Sequence, residues 1–162
     1  MLISNRPILA FSFAIGLGVT ALATPGSGVV SNVITRATLG EGVNIKFKNR
    51  FTDFEAKLQI KGPADFISQQ ITLAPGGASG WHSHSGPALV SVVSGAVTFY
   101  QGDDPTCSPT VVPAGTVFVE QGEDVHIARN EGTADLVLKI LYITPVGAPQ
   151  RIDQPSPGNC RF

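Results

Sequence analysis

The sequence is poor in charged residues. Only 14% of its 162 residues are Asp, Glu, Lys or Arg, and the formal net charge is −1. A chain without an excess of positive charge lacks the electrostatic attraction that nucleic acids and acidic membrane surfaces require. Whole-chain composition therefore predicts no nucleic-acid partner and no membrane partner for the folded domain.

Helical periodicity is also missing beyond the first residues. Short runs that alternate apolar and polar side chains, such as NIKFKNRF and EAKLQI, are separated by turns, and the chain contains 18 glycines and 12 prolines. Short strands with frequent turns predict an all-β sandwich or barrel. Two details follow from the same pattern: a tight hairpin at Ser94-Gly95, and a final apolar strand, TADLVLKILYITPVG, buried on both faces.

One long apolar run does occur, at the N terminus. Arg6 precedes an uncharged run from Pro7 to Ala23, which ends in Ala21-Leu22-Ala23. The small residues suit a signal-peptidase site, and the run is shorter than the ~20 residues of a spanning helix. The sequence predicts a cleavable signal peptide over residues 1–23, with a retained anchor as the alternative. One secreted or periplasmic domain with a Pro-rich C-terminal tail would follow over residues 24–162.

Cysteine is scarce as well. The two cysteines are Cys107, in a polar loop, and Cys160, in the Pro-rich tail. An even number of cysteines in an exported chain predicts a disulfide bond between them. The alternative is a pair of free thiols, but neither cysteine lies in a Cys-x-x-Cys pattern or beside a histidine.

Only three histidines are present, and two of them are His82 and His84. Residues two apart on a strand point to the same side, so both rings share a face if this segment is extended. Imidazoles that repel when protonated can coexist as neutral ligands of one metal ion. The alternative is an exposed pair on a loop.

Two groups of residues extend the pattern. The first group is Gly76, His82, His84 and Gly95, and the second is Pro113, Gly115, His126 and Asn130. Their spacing resembles the two motifs of the cupin superfamily, G-x5-H-x-H-x(3,4)-E-x6-G and G-x5-P-x-G-x2-H-x3-N, over about residues 65–145. The resemblance implies a cupin-type antiparallel β-barrel, also called a double-stranded β-helix or jelly roll, with His82, His84 and His126 around a metal ion. Because such barrels often pair, it also implies a homodimer.

The sequence departs from these motifs at two points. Ala88 occupies the position of the metal-binding glutamate, and the spacer before His126 is lengthened to TVFVEQGEDV. If Gln121–Asp124 form a four-residue hairpin loop, Glu120 faces away from the histidines, although a shift of one residue would reverse this. We therefore expect a three-histidine site without a carboxylate, with Glu120 as the alternative fourth ligand.

The ligand set suggests the chemistry. Three neutral imidazoles suit one divalent ion of Fe, Zn, Cu, Ni or Co, whereas the missing carboxylate disfavours Mn. Three ligands leave open coordination positions, as in catalytic sites. Similar three-histidine cupins, the thiol and β-diketone dioxygenases, suggest oxygenase-like chemistry on a small organic substrate. The alternative is a non-catalytic module that binds a metal or a small ligand. The residues expected to line an apolar pocket are Val90, Val92, Phe99 and Phe118.

Overall fold

The computed structural model describes residues 22–162, and all regular secondary structure in this range is β-strand. In chain order the strands are β1 (Ser27–Leu39), β2 (Val43–Lys48), β3 (Glu55–Ile60), β4 (Ala64–Ala78), β5 (His82–Ser83), β6 (Ala88–Ser94), β7 (Ala96–Gln101), β8 (Thr110–Pro113), β9 (Val117–Glu120), β10 (His126–Arg129), β11 (Leu136–Pro145) and β12 (Ile152–Asp153). Except for its last two residues, the predicted signal peptide lies outside the described residues.

Ten of these strands form one antiparallel sheet that curls on itself. One half has the order β1-β4-β11-β6-β9 and the other β12-β5-β10-β7-β8. Strand β4 links the halves through a single pairing of Ala78 with Arg129 of β10. The architecture confirms the predicted all-β fold of the double-stranded β-helix type. The two remaining strands, β2 and β3, pair only with each other.

The core lies inside the curl, and β11 shows how the sequence directs residues there. Leu136, Leu138, Ile140 and Tyr142 are buried, while the residues between them are more exposed. The prediction that this strand is buried on both faces was wrong, since Leu141 on the outer face is 37% exposed. The side chains of this strand therefore alternate between the core and the outer face, although nearly all of them are apolar.

The predicted hairpin at Ser94-Gly95 is also absent. β6 pairs with β11 and β9, whereas β7 pairs with β10 and β8, so the chain crosses here from one half of the sheet to the other. Gly95 makes the crossing with a φ of 75°, a left-handed conformation that glycine adopts without steric cost.

The C-terminal tail returns to the sheet after β11. β12 pairs with β5, with Asp153 opposite His82, and the Gln154 carbonyl accepts a hydrogen bond from the backbone N–H of Thr24. The tail ends at the predicted disulfide, which joins Cys107 to Cys160. Among residues 22–162, no helix is long and apolar enough to cross a bilayer.

Candidate metal centre

The three histidines meet inside the curled sheet. His82 and His126 are directly opposite each other across the β5–β10 pairing, and His84 follows β5. The ring centroids are 4.4 Å apart for His82 and His126, 4.9 Å for His82 and His84, and 5.0 Å for His84 and His126. All three side chains are buried, and one ligand atom from each lies within 4.8 Å of the others.

Each ring is oriented by a backbone carbonyl. The Nδ1 atoms of His82, His84 and His126 lie 2.9, 2.6 and 2.9 Å from the carbonyl oxygens of Gly80, Gln150 and Asp124 respectively. A carbonyl oxygen can only accept, so each Nδ1 carries a hydrogen, and in the neutral ring Nε2 then keeps a free lone pair. This tautomer is the one that a histidine adopts when it binds a metal through Nε2.

The structure brings a carboxylate to the same place. One carboxylate oxygen of Glu120 lies 2.8 Å from Nε2 of His84, and the other lies 3.6 Å from Nε2 of His126. The expectation that Glu120 faces away was therefore wrong. It assumed that β9 and β10 form a hairpin, but β9 pairs with β6, and Glu120 is the partner of Ala88.

The reason is the path of the loop between β9 and β10. The backbone N–H of Glu123 donates to the carbonyl of His84, and Gly122 packs against the backbone of Gly86 with a φ of 91°. The loop thus folds back over the segment after His84 instead of turning tightly onto β10, and this long-range contact directs Glu120 inward. Glu120 projects from the same face of the sheet as Ala88, because the two residues are cross-strand partners.

The donor atoms of this cluster could hold a cation. Nε2 of His84 and Nε2 of His126 are buried without a hydrogen-bond donor among the described residues, and both face the Glu120 carboxylate. Lone pairs on neighbouring acceptors repel unless a positive charge lies between them. A single proton could bridge Glu120 to one ring but would leave the other nitrogen unsatisfied. The donor set therefore fits a metal ion better than a proton.

The shifted pKa values agree with neutral rings. Burial lowers the pKa of His82 to about 2, and repulsion from a charged His126 adds to the shift. Burial also lowers the pKa of His126, although the Glu120 carboxylate opposes this effect. These two rings are consequently unprotonated at neutral pH and can act as ligands.

A cavity of about 470 Å³ adjoins the cluster, within the range of small-molecule sites. His82, His84 and Glu120 line one side, and most of the remaining wall is apolar. Val90 and Phe99, two of the four predicted lining residues, contribute to this wall. Of the other two, Val92 lies in the hydrophobic core, and Phe118 lines a second cavity of about 190 Å³, which Glu120 and His126 also line.

Tyr142 and Arg151 are two of the polar residues of the main cavity that sequence reasoning missed. Tyr142 is 2% exposed, and burial together with the Glu120 carboxylate raises the pKa of its hydroxyl above the usual value. Its inward position could have been inferred from the alternation along β11. Arg151 also lines the cavity, where its charge contributes to the lowered pKa values of His82 and His126, and it donates to Asp153 and to the carbonyl of Ser79. No local pattern could have indicated that the tail enters the site.

The fold and the buried histidines define a double-stranded β-helix protein with a candidate metal centre. The chain belongs to the family described as Cupin domain, whose model matches residues 69–160. No curated protein matches the chain.

Several solved structures are similar in fold. A cupin domain from Bordetella pertussis is 15% identical, with 76% of this chain and 98% of that chain covered, at a TM-score of 0.48. A conserved protein with a double-stranded β-helix domain from Klebsiella pneumoniae is 19% identical, with 70% and 84% covered, at a TM-score of 0.47. A protein described as a predicted oxalate decarboxylase from Thermotoga maritima is 20% identical, with 53% and 84% covered, at a TM-score of 0.41. At these values the likenesses carry no functional argument.

Proposed function

We propose that the chain binds one divalent transition-metal ion through His82, His84 and His126, with Glu120 as a fourth ligand. A small organic ligand or substrate would bind beside the ion in the 470 Å³ cavity. The observation that carries the proposal is the pair of buried Nε2 atoms that face the Glu120 carboxylate and have no hydrogen-bond donor among the described residues.

The donor set of three nitrogens and one oxygen is compatible with Fe, Zn, Cu, Ni or Co. The sequence disfavoured Mn because a carboxylate was missing, but Glu120 supplies one, so Mn is again compatible. When bound, such an ion would act as a Lewis acid toward an oxygen or sulfur atom of the ligand.

Two further side chains indicate how the chain would hold a ligand. The raised pKa of Tyr142 keeps its hydroxyl protonated at neutral pH, so it can donate a hydrogen bond into the cavity. The Arg151 guanidinium, which forms an ion pair with Asp153, adds a positive charge to the cavity wall near the histidines. Both groups favour a ligand that carries negative charge near the metal centre and an apolar body along Val29, Ile71 and Leu138.

Oxygenase-like turnover of a small organic substrate is the catalytic form of this proposal. The comparison with three-histidine dioxygenases relied on a ligand set without a carboxylate. With Glu120 as a ligand that argument no longer applies, so turnover depends on which metal is bound. The alternative is a non-catalytic metal or small-ligand binder. The predominantly apolar cavity wall favours that alternative, since it offers few groups for proton transfer.

Elemental analysis of the purified protein tests the metal site. We expect about one divalent ion per chain in the wild type and its loss in the His82→Ala, His84→Ala double variant. Glu120→Gln should lower occupancy, whereas Glu123→Gln, in the exposed part of the same loop, should not. A wild-type protein that stays metal-free when metals are supplied contradicts the proposal. Oxygen uptake by the Fe(II)-loaded protein with thiols, diketones and flavonols then separates turnover from binding.

We also propose that the domain works outside the cytoplasm. The Cys107–Cys160 disulfide supports an oxidising compartment, where such bonds persist. Removal of residues 1–23 stays a prediction, and N-terminal sequencing of the protein from its native cells checks it. Processing as predicted leaves Thr24 as the first residue, and a chain that still begins with Met1 contradicts it. The homodimer likewise stays a prediction.

A further inference from the structure

Strands β2 and β3 form a ribbon that belongs to neither half of the curled sheet. We call residues 43–60, which contain both strands and their connecting loop, the β-arm. It is inserted between Leu39 at the end of β1 and Ala64 at the start of β4. Apart from its first and last residues, nearly all of its side chains are exposed.

One face of the β-arm is apolar throughout. The cross-strand pairs Val43–Ile60, Ile45–Leu58 and Phe47–Ala56 share this face. Ile45 and Phe47 are each 51% exposed although both are large and apolar. A two-stranded ribbon is marginally stable by itself, and an uncovered apolar face of this kind indicates a binding surface.

Phenylalanine extends the apolar face to the tip. The rings of Phe47 and Phe54 lie 6.1 Å apart, and Phe54 is 59% exposed. Phe51, in the connecting loop, is 94% exposed. Three of the nine phenylalanines of the chain are therefore exposed at one protruding end.

Positive charge is concentrated in the same segment. Five of the eleven basic residues lie between residues 46 and 61, namely Lys46, Lys48, Arg50, Lys57 and Lys61. Residues 41–61 contain three acidic residues, so this segment has a net charge of +5 − 3 = +2 in a chain whose net charge is −1. The face opposite the apolar one includes Lys46, Lys57 and Lys48, the last in an ion pair with Glu55 at 2.9 Å, so the β-arm remains cationic and is amphipathic.

We propose that the β-arm docks on an anionic phospholipid membrane, with the phenylalanine tip inserted among the lipids and the basic side chains at the headgroups. Apolar insertion and attraction to anionic lipids reinforce each other at a bilayer surface. The proposal departs from the expectation of no membrane partner, because the whole-chain charge conceals the local excess.

A second copy of the chain fits the β-arm less well. Two six-residue strands present a face of about 20 Å by 10 Å, or roughly 200 Å². Two such faces packed together would bury only a few hundred Å², whereas stable interfaces bury about 1,200 Å² or more. The two β-arms would also repel each other, since each carries a net positive charge.

Vesicle cosedimentation of the full chain tests the proposal. Vesicles of phosphatidylcholine with and without about one-third phosphatidylserine would be compared. We expect binding only to the anionic vesicles, weakened at least about tenfold by Phe51→Ser with Phe54→Ser, and similarly by Lys46→Gln with Lys48→Gln. The controls are Val111→Ser, at an exposed apolar position on the barrel, and Lys139→Gln. Residues 1–23 are common to all variants, so a difference in binding between variants reports on the substituted residues.

Fluorescence then locates the contact. Trp81 is the only tryptophan and is 3% exposed, so Phe51→Trp adds one responsive reporter at the tip. Its emission should shift to the blue and be quenched by brominated lipids, whereas Val111→Trp should not respond. Equal vesicle binding by wild type and tip variants overturns the proposal. The proposal is also overturned if the wild type is a dimer, the tip variants are monomers, and both bind vesicles equally. A second copy of the chain would then be the partner of the β-arm.

Discussion

Glu120 lies directly opposite Ala88 across the pairing of β9 with β6. Ala88 occupies the position at which the cupin motif has its glutamate, yet a Glu120 oxygen lies 2.8 Å from Nε2 of His84. The carboxylate near the histidines thus comes from the neighbouring strand, at the position directly opposite Ala88. This is geometrically allowed because directly opposed residues on neighbouring strands project from the same face.

Exchanging the two side chains tests this equivalence. Glu120→Ala should lower metal affinity at least about tenfold, or ~1.4 kcal/mol, because a charged ligand is lost. Adding Ala88→Glu to that variant should recover part of the affinity, since it returns the carboxylate to the same face with little change in total side-chain volume. Competition with a chelator measures both effects. Wild-type affinity in Glu120→Ala would show that the carboxylate is not a ligand.

The loop that carries Glu120 inward can be disturbed at Gly122. Its φ is 91°, and an added Cβ would lie 2.9 Å from the Gly86 carbonyl carbon. Gly122→Ala should therefore displace the loop and reduce metal affinity, besides costing about 1–2 kcal/mol for the left-handed conformation. The matched control is Gly115→Ala, which has a φ of 83° but no atom within 4 Å of the added Cβ. It should lose stability in urea unfolding and keep its metal affinity, so equal metal loss in both variants would contradict this account.

The disulfide should support both stability and the site. Replacing Cys107 and Cys160 by serine opens a bond with a sequence separation of 53, and we expect a loss of about 2–4 kcal/mol in urea unfolding. The tail also supplies the Gln150 carbonyl that orients His84, so metal affinity should fall as well. Cys107→Ser alone should behave like the double variant. Unchanged metal affinity would mean that the pairing of β12 with β5 holds the tail without the disulfide.

Asp65 should make the stability of the folded protein depend on pH. It accepts hydrogen bonds from Thr38, Arg36 and the backbone of Gly147, and these lower the pKa of its carboxyl from 3.8 to about 2. The unfolded chain therefore takes up this proton at a higher pH than the folded protein does. The stability from Asp65 is present above about pH 4 and is lost as the pH falls toward 2.

Urea unfolding between pH 6 and pH 2 checks this sign. Asp65→Asn should be less stable than wild type at neutral pH, and the difference should shrink as the pH falls. Asp103→Asn, in the exposed loop after β7, should follow the wild-type curve. A difference between wild type and Asp65→Asn that grows toward low pH would contradict the assignment.

The parts of the site that could be predicted depend on local rules. His82 and His84 share a strand face because side chains alternate, and the spacing of the second motif indicated that His126 would join them. The disulfide could also be predicted, since only two cysteines are available to pair. The inward position of Glu120 could not be predicted. A local hairpin of β9 with β10 would turn it outward, but the loop is held instead by a hydrogen bond from Glu123 to His84, 39 positions away in the chain. The same limit applies to Gln150 and Arg151, which reach the cavity only after the tail has returned to β5.

By itself, the sequence determined an all-β cupin fold, a trio of histidines and one disulfide, because side-chain alternation, motif spacing and cysteine number are properties of the linear chain. Tertiary structure alone decided that the Glu120 carboxylate lies beside the trio and that the tail orients His84. These features arise from strand pairing between segments far apart in sequence, and the path of each connecting loop sets which side chains face inward.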